Sequence, residues 1–433
     1  MKTVSITTLG CKSNQYDSSA MEDALRSGGL RLAQFPGPSD AYIINTCTVT
    51  AQTDAQSRRL IRRARKLNPD ALVIVTGCYA QVSPDAVKRI EGVDYVIGNP
   101  EKKAVLDFIM MGRPGSGVKA VIGDYRDGPP FTPALRSSSG RARANLKIQE
   151  GCDRACAYCI IPMARGASKS LPFQDVGRGI DALIEAGYAE IVLTGIHLGS
   201  YGADLSPVKT LVSVLRLIEE RDYPCRFRLS SLDPDEVTDE LIAIMKTGRR
   251  ICNHVHLALQ SGDHGILKKM KRHYTAKTFA ERVEKICLEV EGAAIGVDVI
   301  AGFPGEGERE FENTYALLKD MPLAYLHIFP YSKRQGTAAA SYGGQISPKI
   351  IRDRCDRLRE LDAGVRAAFY NKFIGEKADV IVEFVPGKKT GLKKGRARNY
   401  IPVAVSAGDA APGREIPVRL TGFGATGMAG EAI

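Results

Sequence analysis

Three times in the first 78 residues an apolar run stops on a cysteine: "SITTLGC" at Cys11, "YIINTC" at Cys47 and "VIVTGC" at Cys78. The separations of 36 and 31 residues match one strand–helix repeat each, because a βαβ unit takes roughly 30 residues or more. Right-handed crossovers bring the carboxyl ends of parallel strands to one edge of a sheet. The pattern therefore predicts a parallel α/β sheet whose edge gathers three thiols. Taken alone, that triad reads either as the ligand set of an iron-sulfur cluster or as three buried strand-end thiols without a ligand.

The surrounding residues support the layout. Strands are expected at "VSITTL", "AYIIN", "ALVIVT" and "VDYVIG", with helices around Ser18 to Ser27, from about Thr53 to Leu67 and from Pro84. The Pro-, Ser- and Gly-rich stretch "DGPPFTPALRSSSGRAR" has no period and reads as a linker. A second alternating series follows, with strands near Asn145, Glu190, Arg226, His254, Ala294 and Tyr325. Six such units predict an open (βα)6 barrel with its chemistry at the carboxyl ends of the strands. After a helix at about Pro348 to Tyr370, short strands and turns from Glu376 suggest a small all-β barrel. The expected fold class is α/β, divided into domains at 1–126, 144–371 and 372–433, with 127–143 as linker.

A second cysteine group, "GCDRACAYC", lies just after the first strand of the second series. Cys152, Cys156 and Cys159 have the spacing C-x3-C-x2-C, and no fourth cysteine stands nearby. A structural zinc site wants four tetrahedral ligands, so zinc is the weaker reading. A 4Fe-4S cluster held by three thiolates keeps one iron open, and that iron can chelate the amino and carboxylate groups of S-adenosylmethionine.

Location decides how the ten cysteines are read. The start of the chain looks like a strand and not a leader, and no apolar run approaches the roughly 20 residues of a spanning helix. The expectation is a cytoplasmic protein without a membrane partner, where thiols serve metals or catalysis rather than disulfides. Cys225, Cys252, Cys287 and Cys355 share no spacing and read as small core residues. Lys plus Arg, 60, exceed Asp plus Glu, 49. A basic chain of this kind suits a polyanion such as RNA. Part of the charge sits in "RRLIRRARK" on a first-domain helix. More lies in the tail, at Lys388, Lys389, Lys393, Lys394, Arg396 and Arg398 followed by Tyr400, where phosphate contact and base stacking are expected.

The C-x3-C-x2-C motif with Tyr158 before its last cysteine resembles the radical S-adenosylmethionine superfamily. With both triads, and with "TLGCKSNQYDS", "EGCDRACAYCIIPMARG", "LTGIHLGSYG", "VDVIAGFPGE" and "LHIFPYS", the whole chain is similar to the methylthiotransferases. It most resembles the branch acting on threonylcarbamoyl-adenosine beside the tRNA anticodon. That resemblance implies a C-terminal TRAM RNA-binding domain and two 4Fe-4S clusters. The cluster on Cys152, Cys156 and Cys159 would cleave S-adenosylmethionine reductively, while the one on Cys11, Cys47 and Cys78 would carry sulfur for insertion at carbon 2 of the adenine. Implied partners are the tRNA anticodon stem-loop, an electron donor such as flavodoxin or ferredoxin, and a sulfur source.

Strand ends offer Gly195, Ser231 and Gln260 as further S-adenosylmethionine contacts beside Tyr158, with simple turn residues as the alternative. Leu171 departs from the pattern, since relatives usually carry an arginine there. Other targets within the same chemistry are isopentenyladenosine in tRNA or an aspartate of a ribosomal protein. A zinc-containing RNA-binding protein without catalysis is the alternative of a different class.

Overall fold

In a computed structural model of the chain, which describes residues 2–124, 142–386, 392–406, 411–424 and 427–433, the first sheet is six-stranded and parallel. Its strands are β1 (Thr3–Thr8), β2 (Arg31–Ala33), β3 (Ala41–Thr46), β4 (Leu72–Gly77), β5 (Tyr95–Ile97) and β6 (Lys119–Val121), in the order β2-β1-β3-β4-β5-β6. Every residue of β3 and β4 is buried, as central parallel strands covered on both faces should be. Ile43 and Ile74 pack with Met21 and Leu25 of helix α1 (Lys12–Ser27). Ile44, Val73 and Val75 pack on the other face with Ile61 and Ala64 of helix α2 (Ala51–Leu67).

Two features of this sheet differ from expectation. The three-residue strands β2 and β6 are too short to show a period. Helix α1 starts at Lys12 rather than near Ser18, because part of its buried side is polar: Ser13, Asn14 and Ser18 are buried. A search for apolar periodicity passes over such a turn.

The second series begins with β7 (Arg143–Lys147) and a short antiparallel pair, β8 (Gln149–Glu150) and β9 (Lys169–Ser170). It continues through β10 (Glu190–Thr194), β11 (Arg226–Leu229), β12 (His254–Gln260), β13 (Ala294–Ala301) and β14 (Tyr325–Pro330). Parallel ladders β11-β10-β7 and β12-β13-β14 are joined by the bridges Phe227–Ile251 and Leu232–Leu257, giving the open six-stranded partial barrel that the sequence predicts. Ile191, Leu193, Phe227, Leu229, Val255 and Leu257 share one core with the surrounding helices. Because side chains alternate along a strand, the opposite, inner face carries Arg143, Glu190, Arg228, His256, Asp298 and His327. That lumen is polar.

The tail forms a closed five-stranded barrel of the TRAM-like kind, β15 (Lys377–Pro386), β16 (Lys393–Ala397), β17 (Pro402–Ser406), β18 (Glu415–Gly424) and β19 (Gly427–Ala432), in the order β15-β16-β17-β19-β18. Val380, Val403, Val418 and Leu420 fill it, and Tyr325, Phe369 and Tyr370 continue its core into the second unit. The junction is also ionic. Glu190 is fully buried between Arg226 and Arg228, and Arg228 donates to the carbonyls of Ala397 and Arg398.

No helix among the described residues is long and apolar enough to cross a membrane. Residues 127–141 of the expected linker lie outside the described residues.

Candidate active site: two cysteine triads

The parallel register brings Cys11, Cys47 and Cys78 to one edge of the sheet. Asn45 pairs with Thr76 and Thr46 with Gly77, so Cys47 and Cys78 leave the sheet side by side. Thr8 pairs with Asn45, and Cys11 follows at the start of α1, with Gly10 between at a φ of +95°. A Cβ on Gly10 would stand 2.7 Å from the Cys47 Cβ and 2.8 Å from its sulfur. Only glycine allows that approach. Cys11 caps α1 and Cys78 opens a short helix, α3 (Cys78–Val82). Burial pushes the Cys47 thiol up to about 12, and the neighbouring Cys78 and Cys11 add to it. Cys47 and Cys78 are buried and Cys11 is exposed, so the triad opens to solvent on one side.

The second triad hangs from the end of β8. Gly151, at a φ of +69°, turns the chain where a Cβ would strike the Ala167 carbonyl oxygen at 1.9 Å. The Cys159 amide donates to the Cys156 carbonyl at 3.0 Å, and the Ala157 amide donates to the Met270 carbonyl at 3.0 Å. Burial, then the Cys156 and Cys152 sulfurs against a hydrogen bond from the Ile161 amide, carry the Cys159 thiol to about 12. Arg272 donates to the Cys156 sulfur at 3.1 Å. His197 answers Cys152 on the other side: burial would lower its imidazolium, but hydrogen bonds to Cys152 and to Glu236 hold it up to about 10.

The donor chemistry fits clusters better than single ions. All six cysteines are free. Among the described residues neither triad draws its sulfurs together within 4.8 Å, whereas two three-residue groups with imidazole and carboxylate atoms do. A zinc ion with Zn–S bonds of about 2.3 Å would pull its sulfurs into van der Waals contact. A wider set of soft thiolates suits an iron-sulfur cube.

Arg165 ties the first triad to the segment that bears the second. It is fully buried, in the short helix Ile161–Arg165, which starts two residues after Cys159. Its Nε donates to the Cys78 sulfur at 3.4 Å, and its Nη1 donates to both Glu150 oxygens, at 3.1 and 2.9 Å. Glu150 stands two residues before Cys152. Asp17 joins the network through Arg165 at 3.1 Å, Lys102 at 2.7 Å and Lys147 at 2.5 Å. Burial would raise the Glu150 and Asp17 carboxyls, but these cations hold Glu150 down and Asp17 well below the usual range.

The remaining candidates divide. Tyr158 packs edge-on against Phe303, with ring centroids 6.4 Å apart, and anchors the cysteine loop in a small core. Gly195 leaves room for Gln149, whose oxygen would stand 2.8 Å from an added Cβ. Gln149 in turn donates to the Gly151 carbonyl at 2.8 Å and accepts from the His197 amide at 2.7 Å. Ser231 is exposed at the end of β11, and Gln260 sits at a bulge with a φ of +67°. Leu171 is fully buried in the apolar core, so no anion contact exists there.

In the tail, Lys388 and Lys389 lie outside the described residues, while Lys393 and Lys394 lie on β16, Lys394 exposed. Arg398 donates to the Arg249 carbonyl at 2.7 Å. Tyr400 lies between Arg228 and Arg396, its ring centroid 5.0 and 4.5 Å from their guanidinium carbons. Arg396, Arg398 and Tyr400 thus face the second unit, and Tyr400 covers its polar lumen. Cys225, Cys252 and Cys355 are buried as expected, but Cys287 is exposed, on the outward side of the helix Ala276–Glu289. Sequence reading missed Arg165, Arg272, His197 and Glu150. The quoted motifs "EGCDRACAYCIIPMARG" and "LTGIHLGSYG" contain Glu150, Arg165 and His197, whereas nothing marked Arg272.

Residues 3–98 match a family described as uncharacterized protein family UPF0004, and residues 146–318 match the radical SAM superfamily. The chain is 38% identical over 430 residues to the threonylcarbamoyladenosine tRNA methylthiotransferase MtaB of Bacillus subtilis, covering 97% of this chain and 94% of that one. It is 37% identical to the protein of the same name from Aquifex aeolicus, over 88% and 92% of the two chains. Identity to the tRNA-2-methylthio-N(6)-dimethylallyladenosine synthase of Protochlamydia amoebophila is 30%, over 98% and 94%. Among solved structures, the radical S-adenosylmethionine methyltransferase TsrM of Kitasatospora setae shares the fold, with a TM-score of 0.55 at 16% identity over 76% of this chain and 73% of that one.

Proposed function

The chain belongs to the MtaB-like radical S-adenosylmethionine methylthiotransferases and is an enzyme of tRNA modification, and from that premise we propose that it places a methylthio group on carbon 2 of N6-threonylcarbamoyladenosine beside the anticodon. The observation that carries this reading is one buried network that joins the first triad to the segment bearing the second, with Arg165 touching Cys78 on one side and Glu150, two residues ahead of Cys152, on the other. We assign 1–126 to the sulfur-carrying domain, 144–371 to the radical domain and 372–433 to RNA binding.

Cys152, Cys156 and Cys159 would hold the cluster at which S-adenosylmethionine binds, and Cys11, Cys47 and Cys78 a second one. Bound there, these groups supply the electron, the radical chemistry, the sulfur and the methyl group that an unactivated aromatic C–H demands and no side chain offers. The chain supplies the setting. Arg272 and His197 donate to sulfurs of the radical triad, and donors to cluster sulfurs raise the reduction potential. Gln149 fixes the turn at Gly151. Gly195, Ser231 and Gln260 line the strand ends where the polar parts of S-adenosylmethionine would lie, with Tyr158 keeping the loop in place. Lys393 and Lys394, with Lys388 and Lys389, are the proposed phosphate contacts. A one-electron donor such as flavodoxin or ferredoxin and a source of sulfur are required partners.

Nucleoside mass spectrometry of tRNA from a deletion strain tests the substrate. Loss of the methylthiolated threonylcarbamoyl nucleoside is expected. Loss of the methylthiolated isopentenyl nucleoside instead moves the chain to the other branch. Anaerobic reconstitution tests the chemistry: about eight iron atoms with matching sulfide fit two clusters, and zinc without sulfide removes the enzyme reading.

A further inference from the structure

Lys12 is the residue after Cys11 and the first of α1. Among the described residues its ammonium forms no salt bridge and donates no hydrogen bond, although it is half-buried. It reaches into the place where all three units meet. α1 lies along β7, with Asn145 donating to Gln15 at 3.4 Å and Lys147 paired with Asp17. Its electrostatic neighbours are Tyr400 of the C-terminal barrel and Arg228, Arg143 and Glu190 of the lumen; burial is nonetheless the larger influence and lowers its proton affinity.

The acids nearby are already committed. Glu190 is bound to Arg226 and Arg228 at 2.7 and 2.8 Å, with Arg143 at 3.6 Å. Glu383 accepts from Arg143 at 3.3 Å. Among the described residues, Lys12 and Arg396 therefore remain as cations without a carboxylate of their own around the Tyr400 ring.

A second observation lies beside the first. A cavity of about 200 Å³ opens next to Tyr400, lined also by Tyr325, His327, Arg366, Arg396 and Asn399. Asn399 is 8% exposed, and its Oδ1 has no hydrogen-bond partner; neither does the buried Nε of Arg396. An unpaired acceptor and an unpaired charged donor in one interior place are costly unless a polar guest completes them. Tyr400, which lines this cavity and also neighbours Lys12, holds a left-handed backbone with a φ of +68°. Side chains adopt that region rarely, and it clusters at ligand sites.

We propose that this meeting point, with Lys12 as its deciding cation, is the subsite for the carboxylate borne by the N6 substituent of the substrate adenosine. The inference rests on the substrate reading above. Carbon 2 and the N6 group are carried on one six-membered ring, so a ring presented to the Cys11 triad brings its substituent past the very next residue. The threonylcarbamoyl group carries a carboxylate, a hydroxyl and an N–H, which match Lys12, Arg396 and the empty acceptor of Asn399. A dimethylallyl group offers none of these and would leave the cations unpaired in a dry cleft. The site thereby discriminates as well as binds.

The test uses the reconstituted full chain and two synthetic anticodon stem-loops, one with threonylcarbamoyladenosine and one with plain adenosine at the target position, titrated by fluorescence anisotropy. The wild type should prefer the modified loop. Lys12→Ala should weaken binding of the modified loop by about ten- to a hundredfold, leave the plain loop unchanged, and keep its iron content and unfolding midpoint. Lys12→Arg should restore the preference, and Asn399→Ala should lose part of it. An equal loss for both loops would mean that Lys12 meets a backbone phosphate and would overturn the inference, as would an unaltered preference in Lys12→Ala. If the wild type itself shows no preference and methylthiolates no threonylcarbamoyl nucleoside, the substrate reading falls first. An intact wild-type preference with an indifferent Lys12 overturns the subsite alone.

Discussion

Arg165 of the second unit donates from Nε to the sulfur of Cys78 in the first, at 3.4 Å, with no solvent exposure of the guanidinium. This hydrogen bond joins two units whose cysteines are 74 residues or more apart in sequence. Its remaining nitrogens serve Glu150, Asp17 and Asn14. Removing one partner of such a group leaves buried charges uncompensated, at a cost of about 3–5 kcal/mol. Arg165→Met is therefore expected to lower unfolding stability by that order, measured by chemical denaturation, and to lose iron from the first triad before the second.

Cysteine substitutions separate the two triads. Cys156→Ala should abolish cleavage of S-adenosylmethionine and remove about four iron atoms per chain. Cys47→Ala should remove about as many but leave cleavage uncoupled from methylthiolation. Iron analysis with quantification of the cleaved nucleoside checks both. Equal behaviour of the two variants would contradict the assigned roles.

Acid should loosen the junction between the partial barrel and the C-terminal barrel. Burial would raise the Glu190 carboxyl, but Arg228 and then Arg226 hold it well below its usual range. A depressed native value contributes stability above the unfolded carboxyl value of 4.5 and loses it as pH falls through the native one. Glu190→Gln should accordingly be less stable than the wild type at pH 7, by about 3–5 kcal/mol. The gap should shrink steadily below the ordinary carboxylate range. Denaturation midpoints across an acid pH series measure it.

The RNA surface should reveal itself through salt. Lys393→Ala with Lys394→Ala should weaken tRNA binding and flatten the dependence of log affinity on log salt, by about one for each phosphate that the variant no longer neutralises. Tyr400→Ala should instead act with little change of salt slope, since it removes no positive charge and its ring lies between Arg228 and Arg396. Fluorescence titrations at several salt concentrations distinguish the two.

The six cysteines, the parallel sheet with thiols at its edge, the open six-stranded barrel and the small β-barrel at the end were all legible in the chain. Each rests on local spacing: strand and helix periods, and cysteines placed at the ends of apolar runs. Tertiary structure alone decided that α1 begins at Lys12, that Arg165 spans two units, that Arg272 and His197 attend the second triad, and that Tyr400 packs over the lumen between Arg228 and Arg396. The physical reason is common to all four. A buried polar or charged side chain is stabilised by a partner brought up by another element, often more than a hundred residues away along the chain as for Arg272 and Cys156, and no period in the sequence records such a partner.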